Sequence, residues 1–301
     1  VTANNGLLKG IAGSAVVGFV VTSSGNGHAT YWSSYTGTGV DLNPSGRVVS
    51  YANKIVGSAI VGEADNHAIY WPTPTAASAV DLSPASSTVS YANAIANGVI
   101  VGDADNQAIV WPSPSPSVAV NINPSGFAES FANGISGSKI AGCGNLSSTG
   151  AQHALLWSSA TAGSAVDLNP TGFSASCANA ISNGLCAGVG TLKSSNQQHA
   201  LIWTGSTVAT AIDLNPTGFI SSVAWSVKNG VAVGSGTQGT RTDALAWLSP
   251  SAKSAIDLQA YVPTDYSDSI AFDVDASGNI VGEAYNTASK EWDAVVWILQ
   301  R

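Results

Sequence analysis

Short apolar runs alternate along the whole chain with clusters of Gly, Asn, Pro and Ser. Tyr91-Ala92-Asn93-Ala94-Ile95, Val99-Ile100-Val101-Gly102, Gln107 to Trp111 and Val118 to Ile122 are such runs, rich in β-branched and aromatic residues. They predict β-strands, and no helical period competes over a useful window. Both faces of these strands are apolar or small. In His153-Ala154-Leu155-Leu156-Trp157, Leu155 and Trp157 point one way while Ala154 and Leu156 point the other. The sheets should therefore be covered on both sides. Between the strands, Asn97-Gly98, Asn183-Gly184 and Asn229-Gly230 supply the positive φ angles of tight hairpins. Asn43-Pro44-Ser45-Gly46, with its counterparts at Asn123, Asn169 and Asn215, fits a β-turn with Pro at its second position.

The four runs recur together. His28 to Trp32 begins a series continued by His67 to Trp71, Gln107 to Trp111, His153 to Trp157, His199 to Trp203, Asp243 to Trp247 and Asp293 to Trp297. Seven units of about 40–47 residues, each with four short antiparallel strands and a large side chain at a fixed place, predict an all-β fold. The form expected is a seven-bladed β-propeller filling residues 1–301 as one domain. Its repeats fall at approximately 7–50, 51–90, 91–130, 131–176, 177–222, 223–269 and 270–301. Trp32, Trp71, Trp111, Trp157, Trp203, Trp247 and Trp297 form the repeated core, each expected to wedge between neighbouring blades. The strand ending in Asp-Leu appears only six times, at Asp41, Asp81, Asn121, Asp167, Asp213 and Asp257. One blade should thus lack a strand or be patched by the termini. A six-bladed ring with an overhang and an open solenoid are the alternatives.

Composition narrows the function. Only 9% of residues are charged and the net charge is −8, with ten Lys and Arg scattered singly. That excludes the clustered basic surface of a nucleic-acid binder. No apolar run is long enough for a membrane-spanning helix, so no membrane insertion is expected. A skin of Ser, Thr, Asn, Gln and Gly suits a secreted or surface-displayed protein, and residues 1–5 read as what remains after a leader is removed. Among the three cysteines, Cys177 and Cys186 occupy columns filled elsewhere by apolar residues and read as core, while Cys143 falls at a variable loop position. A Cys177–Cys186 bridge within one hairpin is possible.

His-Ala-Leu-Leu-Trp, Ala-Val-Asp-Leu-Asn-Pro, Ala-Asn-Ala-Ile and the closing Val-Gly together resemble the HAF family of extracellular bacterial repeats, as does Ala271 to Gly282. The resemblance implies secretion or surface display and a propeller-like fold, and carries no functional residue with it. The family's Leu-Gly-Thr-Leu-Gly-Gly element is replaced here by Asp-Leu-Asn-Pro.

Candidate chemistry is weighed against the repeat itself. His28, His67, His153 and His199 share one column with Gln107, Asp243 and Asp293, which favours a structural hydrogen bond to the recurring Asp over a metal site. The periodic Asp residues are expected to order the Pro turns by accepting backbone N–H bonds. Asp273-Val274-Asp275-Ala276-Ser277-Gly278 resembles the start of a calcium loop, but its twelfth position is Ala284, so a hairpin turn is favoured and no cofactor is implied. No Gly-x-Ser-x-Gly element stands in a strand-to-helix setting, and no catalytic residue is assigned. The segments before the His column are short at 63–66 and 103–106 but long at 19–27, 143–152, 189–198, 235–242 and 283–292. Variable loops on one rim commonly carry binding. Tyr285, Trp292, Asn196, Gln198, His153 and His199 are the candidate ligand contacts, and a glycan or a protein is the expected partner. The leading reading is a non-catalytic extracellular, lectin-like binding module. A structural or self-assembling surface protein is the alternative, followed by a polysaccharide hydrolase or lyase.

Overall fold

A computed structural model describes residues 6–298; residues 1–5, read above as a processed leader's remnant, lie outside it. The chain forms seven antiparallel sheets in sequence order, at residues 6–41, 50–81, 90–121, 127–167, 173–213, 221–257 and 266–297. These are the seven blades of an all-β propeller, and the ring and solenoid alternatives fall away. Blade 2 is typical, with strands Ser50–Val56, Ala59–Ala64, His67–Trp71 and Val80–Asp81. Among the described residues six blades have four strands and blade 7 has three, Tyr266–Val274, Ile280–Asn286 and Glu291–Trp297. The first strands of successive blades pack side by side around the centre. The first strand of blade 1 (Gly6–Ala12) packs on blade 7 and closes the ring.

Turn chemistry places the strands as the sequence implies. Asn97 and Gly98 both take positive φ in their hairpin, and so do Asp65-Asn66 between the second and third strands of blade 2. In the crossovers between blades, Arg47 N–H returns to the Pro44 carbonyl and Asn43 N–H is held by Asp41 Oδ1 at 2.7 Å. Asp81, Asp167, Asp213 and Asp257 accept the same backbone bond.

The core lies between blades. Trp71, Trp111, Trp157, Trp203 and Trp247 are fully buried, and each packs against the face of the preceding blade. Each indole N–H of these five, and of Trp297, donates 2.8–3.1 Å to the carbonyl just past the preceding blade's fourth strand: Leu42, Leu82, Ile122, Leu168, Leu214 and Leu258. The Leu or Ile itself fills the same seam, mostly with no exposure. The wedge is therefore both apolar and directional. Trp32 follows the three-stranded blade, and among the described residues its indole N–H meets no such carbonyl.

A bulge recurs on every inner strand. In blade 2 the pairing jumps from Ala52–Gly62 to Lys54–Val61, leaving Asn53 as the extra residue, and the other six blades jump at the equivalent place. This explains the glycine within every second strand. A Cβ on Gly62 would stand 2.0 Å from the Tyr51 carbonyl oxygen, and on Gly102 1.9 Å from that of Tyr91. The backbone turned in by the bulge occupies the space a side chain would need.

Two expectations are corrected. The segments 143–152, 189–198, 235–242 and 283–292 are half strand or more. In blade 4, Lys139–Leu146 pairs with Gln152–Trp157, so the extra length builds taller hairpins with short turns. Polar residues there satisfy a ladder through their backbones, which hydrophobic patterning does not report. The cysteines pair differently too. Cys143 lies within that second strand, buried, and forms a disulfide with Cys177 on the inner strand of blade 5; their Cα atoms are 4.9 Å apart. No Cys177–Cys186 bridge exists. Cys186 is free and buried, and burial pushes its thiol up to about 12.

Candidate functional site

The bulge residues form a ring at the centre of the propeller. Asn53, Asn93, Asn133 and Asn179 hold four of its positions; Trp225, Phe272 and Lys9 hold the others. Each Asn amide nitrogen donates to the inner-strand carbonyl of the next blade, at Ala92, Ala132, Ala178 and Ala224, over 2.9–3.2 Å. A bulge leaves its side chain free of cross-strand neighbours, so a short amide can reach sideways and tie blade to blade. With the nitrogens engaged, the amide oxygens serve as acceptors, that of Asn53 taking Lys9 Nζ at 3.3 Å.

Where the Asn series ends, another tie takes over. Asp273, 1% exposed, accepts from the Ser226 hydroxyl of blade 6 at 2.6 Å and from Ile11 N–H of blade 1 at 3.0 Å. Its Oδ1 also pairs with Lys54 Nζ of blade 2 at 2.6 Å. One carboxylate of blade 7 thus holds three other blades across the closure of the ring. Asp273 does not open a calcium loop. Asp275 beside it accepts from Ser277 N, Asn279 N and Asn279 Nδ2, closing an ordinary hairpin turn.

From the bulge ring to the turns joining first and second strands, the channel widens into a basin of about 500 Å³. Its walls combine the Asn ring with Trp225, Phe272, Lys54 and the turn residues Asn97, Asn183 and Asn229. Trp225 is 41% exposed there, in the column that carries Asn in four other blades. The turns at the mouth are themselves linked, with Asn183 Nδ2 on Asn229 Oδ1 and Asn229 Nδ2 on the Ala276 carbonyl. On the other side of the bulge ring the channel interior is acidic and poorly solvated. Burial pushes Glu283 up to about 7 and Asp103 up to about 6; the Asn93 amide on Asp103 offsets part of that rise. Burial lowers Lys9, against the opposing pull of Glu63 and Glu283. Among the described residues no cluster of His, Cys, Asp and Glu has the makings of a metal site.

The candidates on the opposite rim are placed as follows. Tyr285 and Trp292 face each other across paired strands, edge to face, with ring centroids 5.6 Å apart. Asn196 sits in a turn at φ 59°, and Gln198 is an exposed strand residue opposite Thr191. His153 and His199 join Asp167 and Asp213 through Nδ1 at 2.7 Å, as His28 joins Asp41 and His67 joins Asp81. Gln107 and Asn121 make the same pair. The histidine column is thus a strut between third and fourth strands. These six residues are spread over three blades. The bulge column of Lys9, Asn53, Asn93, Asn133, Asn179, Trp225 and Phe272 escaped sequence reasoning. Its signal was the position after Leu8, Ala52, Ala92 and their counterparts, where the chain departs from its own repeat three times.

The fold is similar to a puromycin hydrolase mutant crystallised with PGG, at a TM-score of 0.66 and 11% identity over all of this chain and 55% of that one. It is also similar to a puromycin-hydrolysing peptidase of Mycobacterium tuberculosis, at 0.61 and 10% identity over 97% of this chain and 53% of that one. A looser match to a structure described as TolB from Agrobacterium tumefaciens has a TM-score of 0.48, 9% identity, and coverage of 81% of this chain and 87% of that one. This chain spans about half the length of the first two. No protein-family model matches the sequence, and no curated protein does either. At these identities the likeness is one of fold: a seven-bladed propeller.

Proposed function

We propose that this propeller is a non-catalytic binding module that takes the end of a neutral glycan into the basin at the mouth of its central channel. One observation carries the reading: an exposed Trp225 stands in the bulge column that four other blades fill with Asn, inside a concavity that those amides line together with Phe272 and Lys54. An aromatic face beside convergent hydrogen-bonding groups suits a ligand that is apolar on one side and rich in hydroxyls on its edges. The Cys143–Cys177 disulfide, a bond that persists in oxidising compartments, supports an extracellular setting.

A glycan array followed by calorimetry on the best binder tests this. Trp225→Ala is expected to weaken binding at least tenfold with the circular dichroism spectrum unchanged, while Tyr285→Ala and Trp292→Ala on the opposite rim leave it intact. Binding that survives Trp225→Ala, or is lost in the rim variants instead, overturns the channel-mouth reading. A partner protein captured at that mouth in place of any sugar would overturn the ligand class.

A further inference from the structure

The formal charge of −8 is divided unevenly between the two faces of the propeller. Of the 18 Asp and Glu, all but Asp273 and Asp275 stand at the level of the bulge ring or beyond it, toward the rim of the crossovers and tall hairpins. The repeat accounts for most of them. Asp41, Asp81 and their equivalents end the fourth strands, Asp65 and Asp105 form turns on that rim, and Glu63, Asp103 and Glu283 follow the second-strand glycine on its far side. The two exceptions are already engaged. Asp273 is paired with Lys54, and Asp275 accepts from Ser277 N, Asn279 N and Asn279 Nδ2 within its own turn. The face that holds the basin therefore offers no carboxylate free to meet a ligand.

That same face carries Lys54, Lys139, Lys228 and Lys253. Lys54 and Asp273 neutralise each other, and Lys9 is opposed by Glu63 and Glu283, so the basin floor carries little net charge. The other three lysines are exposed, and among the described residues none of them is ion-paired. They are also grouped. Lys139 opens the second strand of blade 4, while Lys228 and Lys253 belong to blade 6, with Lys228 at the basin wall on the same strand as Trp225. The corresponding turns of blades 1, 2 and 3, at Gly13-Ser14, Gly57-Ser58 and Asn97-Gly98, bear no charge. The cationic sector and the aromatic face thus lie on one side of the mouth.

On the basin reading proposed above, we infer that the neutral sugar end belongs to an anionic glycan polymer, whose charged body leaves the mouth over blades 4 to 6, past Lys228 toward Lys139 and Lys253. Carboxylate and phosphodiester groups share the required chemistry. Ammonium groups with no carboxylate among them attract either, and the acidic far rim turns the molecule basin-first toward a polyanion. Attraction between exposed charges is weak per pair and screened by salt, so it steers the polymer and adds to an affinity that Trp225 and the amides supply.

Calorimetry on the whole chain compares three probes that share a terminal sugar. They are a hexasaccharide alternating N-acetylglucosamine with glucuronate, a glycerol phosphate hexamer capped with N-acetylglucosamine, and the neutral N-acetylglucosamine hexamer. At least one anionic probe is expected to bind about tenfold tighter than the neutral one at low salt, with the advantage lost near about 1 M salt. Which anionic probe wins tells uronate from phosphate. Lys139→Gln, Lys228→Gln and Lys253→Gln should each weaken that probe about two- to fivefold and leave the neutral hexamer unaffected. Lys193→Gln and Lys290→Gln on the far rim should change nothing, and Trp225→Ala should weaken every probe. Equal binding of neutral and anionic probes, with Trp225 still required, overturns the anionic polymer and leaves the basin reading standing. So does an anionic preference that the three lysine variants do not reduce. Anionic binding that ignores Trp225, or is matched by single-stranded DNA of the same charge, is surface attraction alone and sinks the basin reading along with it. Binding by none of the three probes overturns the anionic polymer as well.

Discussion

Among the described residues six of seven equivalent tryptophans donate to a buried carbonyl and one does not, so Trp→Phe across the repeat isolates a single hydrogen bond in a nearly constant setting. Exchange of indole for phenyl removes roughly 40 Å² of buried apolar surface, about 1 kcal/mol at ~25 cal/mol per Å². At Trp71 or Trp157 it also orphans the carbonyl of Leu42 or Ile122, which adds about 1–3 kcal/mol. The expected loss is therefore about 2–4 kcal/mol at those positions. At Trp32, whose indole N–H has no counterpart bond among the described residues, it should be nearer 1 kcal/mol. Denaturant unfolding followed by circular dichroism, with hydrogen exchange to confirm a common transition, gives the comparison. Equal losses at Trp32 and Trp157 within about 0.5 kcal/mol would falsify the assignment of a directional role to the indole N–H. They would leave the wedges as apolar filling alone.

Three further outcomes follow from the centre of the ring. Asp273→Ala strands Lys54 and removes the acceptor of Ser226 and Ile11, and is expected to cost about 3–5 kcal/mol in denaturant titration; a cost below 1 kcal/mol refutes its closing role. Gly102→Ala should destabilise by at least about 3 kcal/mol, because its Cβ meets backbone and not a movable side chain, and a crystal structure with the bulge undisturbed would contradict this. Stability should fall as pH rises from about 4 to about 7. Asp103 and Glu283 hold their protons to about 6 and about 7 in the folded chain, above their ordinary range, so their contribution is full below that range and lost through those values. For Asp103 the loss is on the order of 2–3 kcal/mol. A melting temperature that does not decline over this interval, or declines equally in Asp103→Asn with Glu283→Gln, contradicts the burial argument. At the acid end, the bonds that lower Asp81 work in the opposite direction, so its share is lost only as pH falls below the ordinary carboxylate range.

The blades were legible because their determinants are local. Asn97-Gly98 forces a hairpin, Asn43 to Gly46 forces a crossover, and Trp marks each seam; a single unit contains all three. The histidines could be read as struts because Gln107 and Asn121 substitute for the pair without changing the geometry. The rest depends on relations between units. Cys143 occupies a column that holds Phe19, Glu63 and Asp103 in other blades, so nothing apolar or conserved in type announces that it faces Cys177 across a seam. The tall hairpins escaped because polar residues pair by backbone as well as apolar ones do. Asp273 looked like part of a turn; that it reaches blades 6, 1 and 2 follows only once the ring closes.

The bulge on each inner strand separates two demands that usually conflict. The residue before it faces the glycine opposite and is Ala in six blades and Leu8 in the first, so it can scarcely vary. The extra residue belongs to no register, and within this one chain it is Asn, Lys, Trp or Phe with the blade unchanged. The propeller therefore carries seven interchangeable positions converging on one opening, each open to exchange without refitting the frame. Selection or a protein engineer could rewrite what the channel recognises one blade at a time.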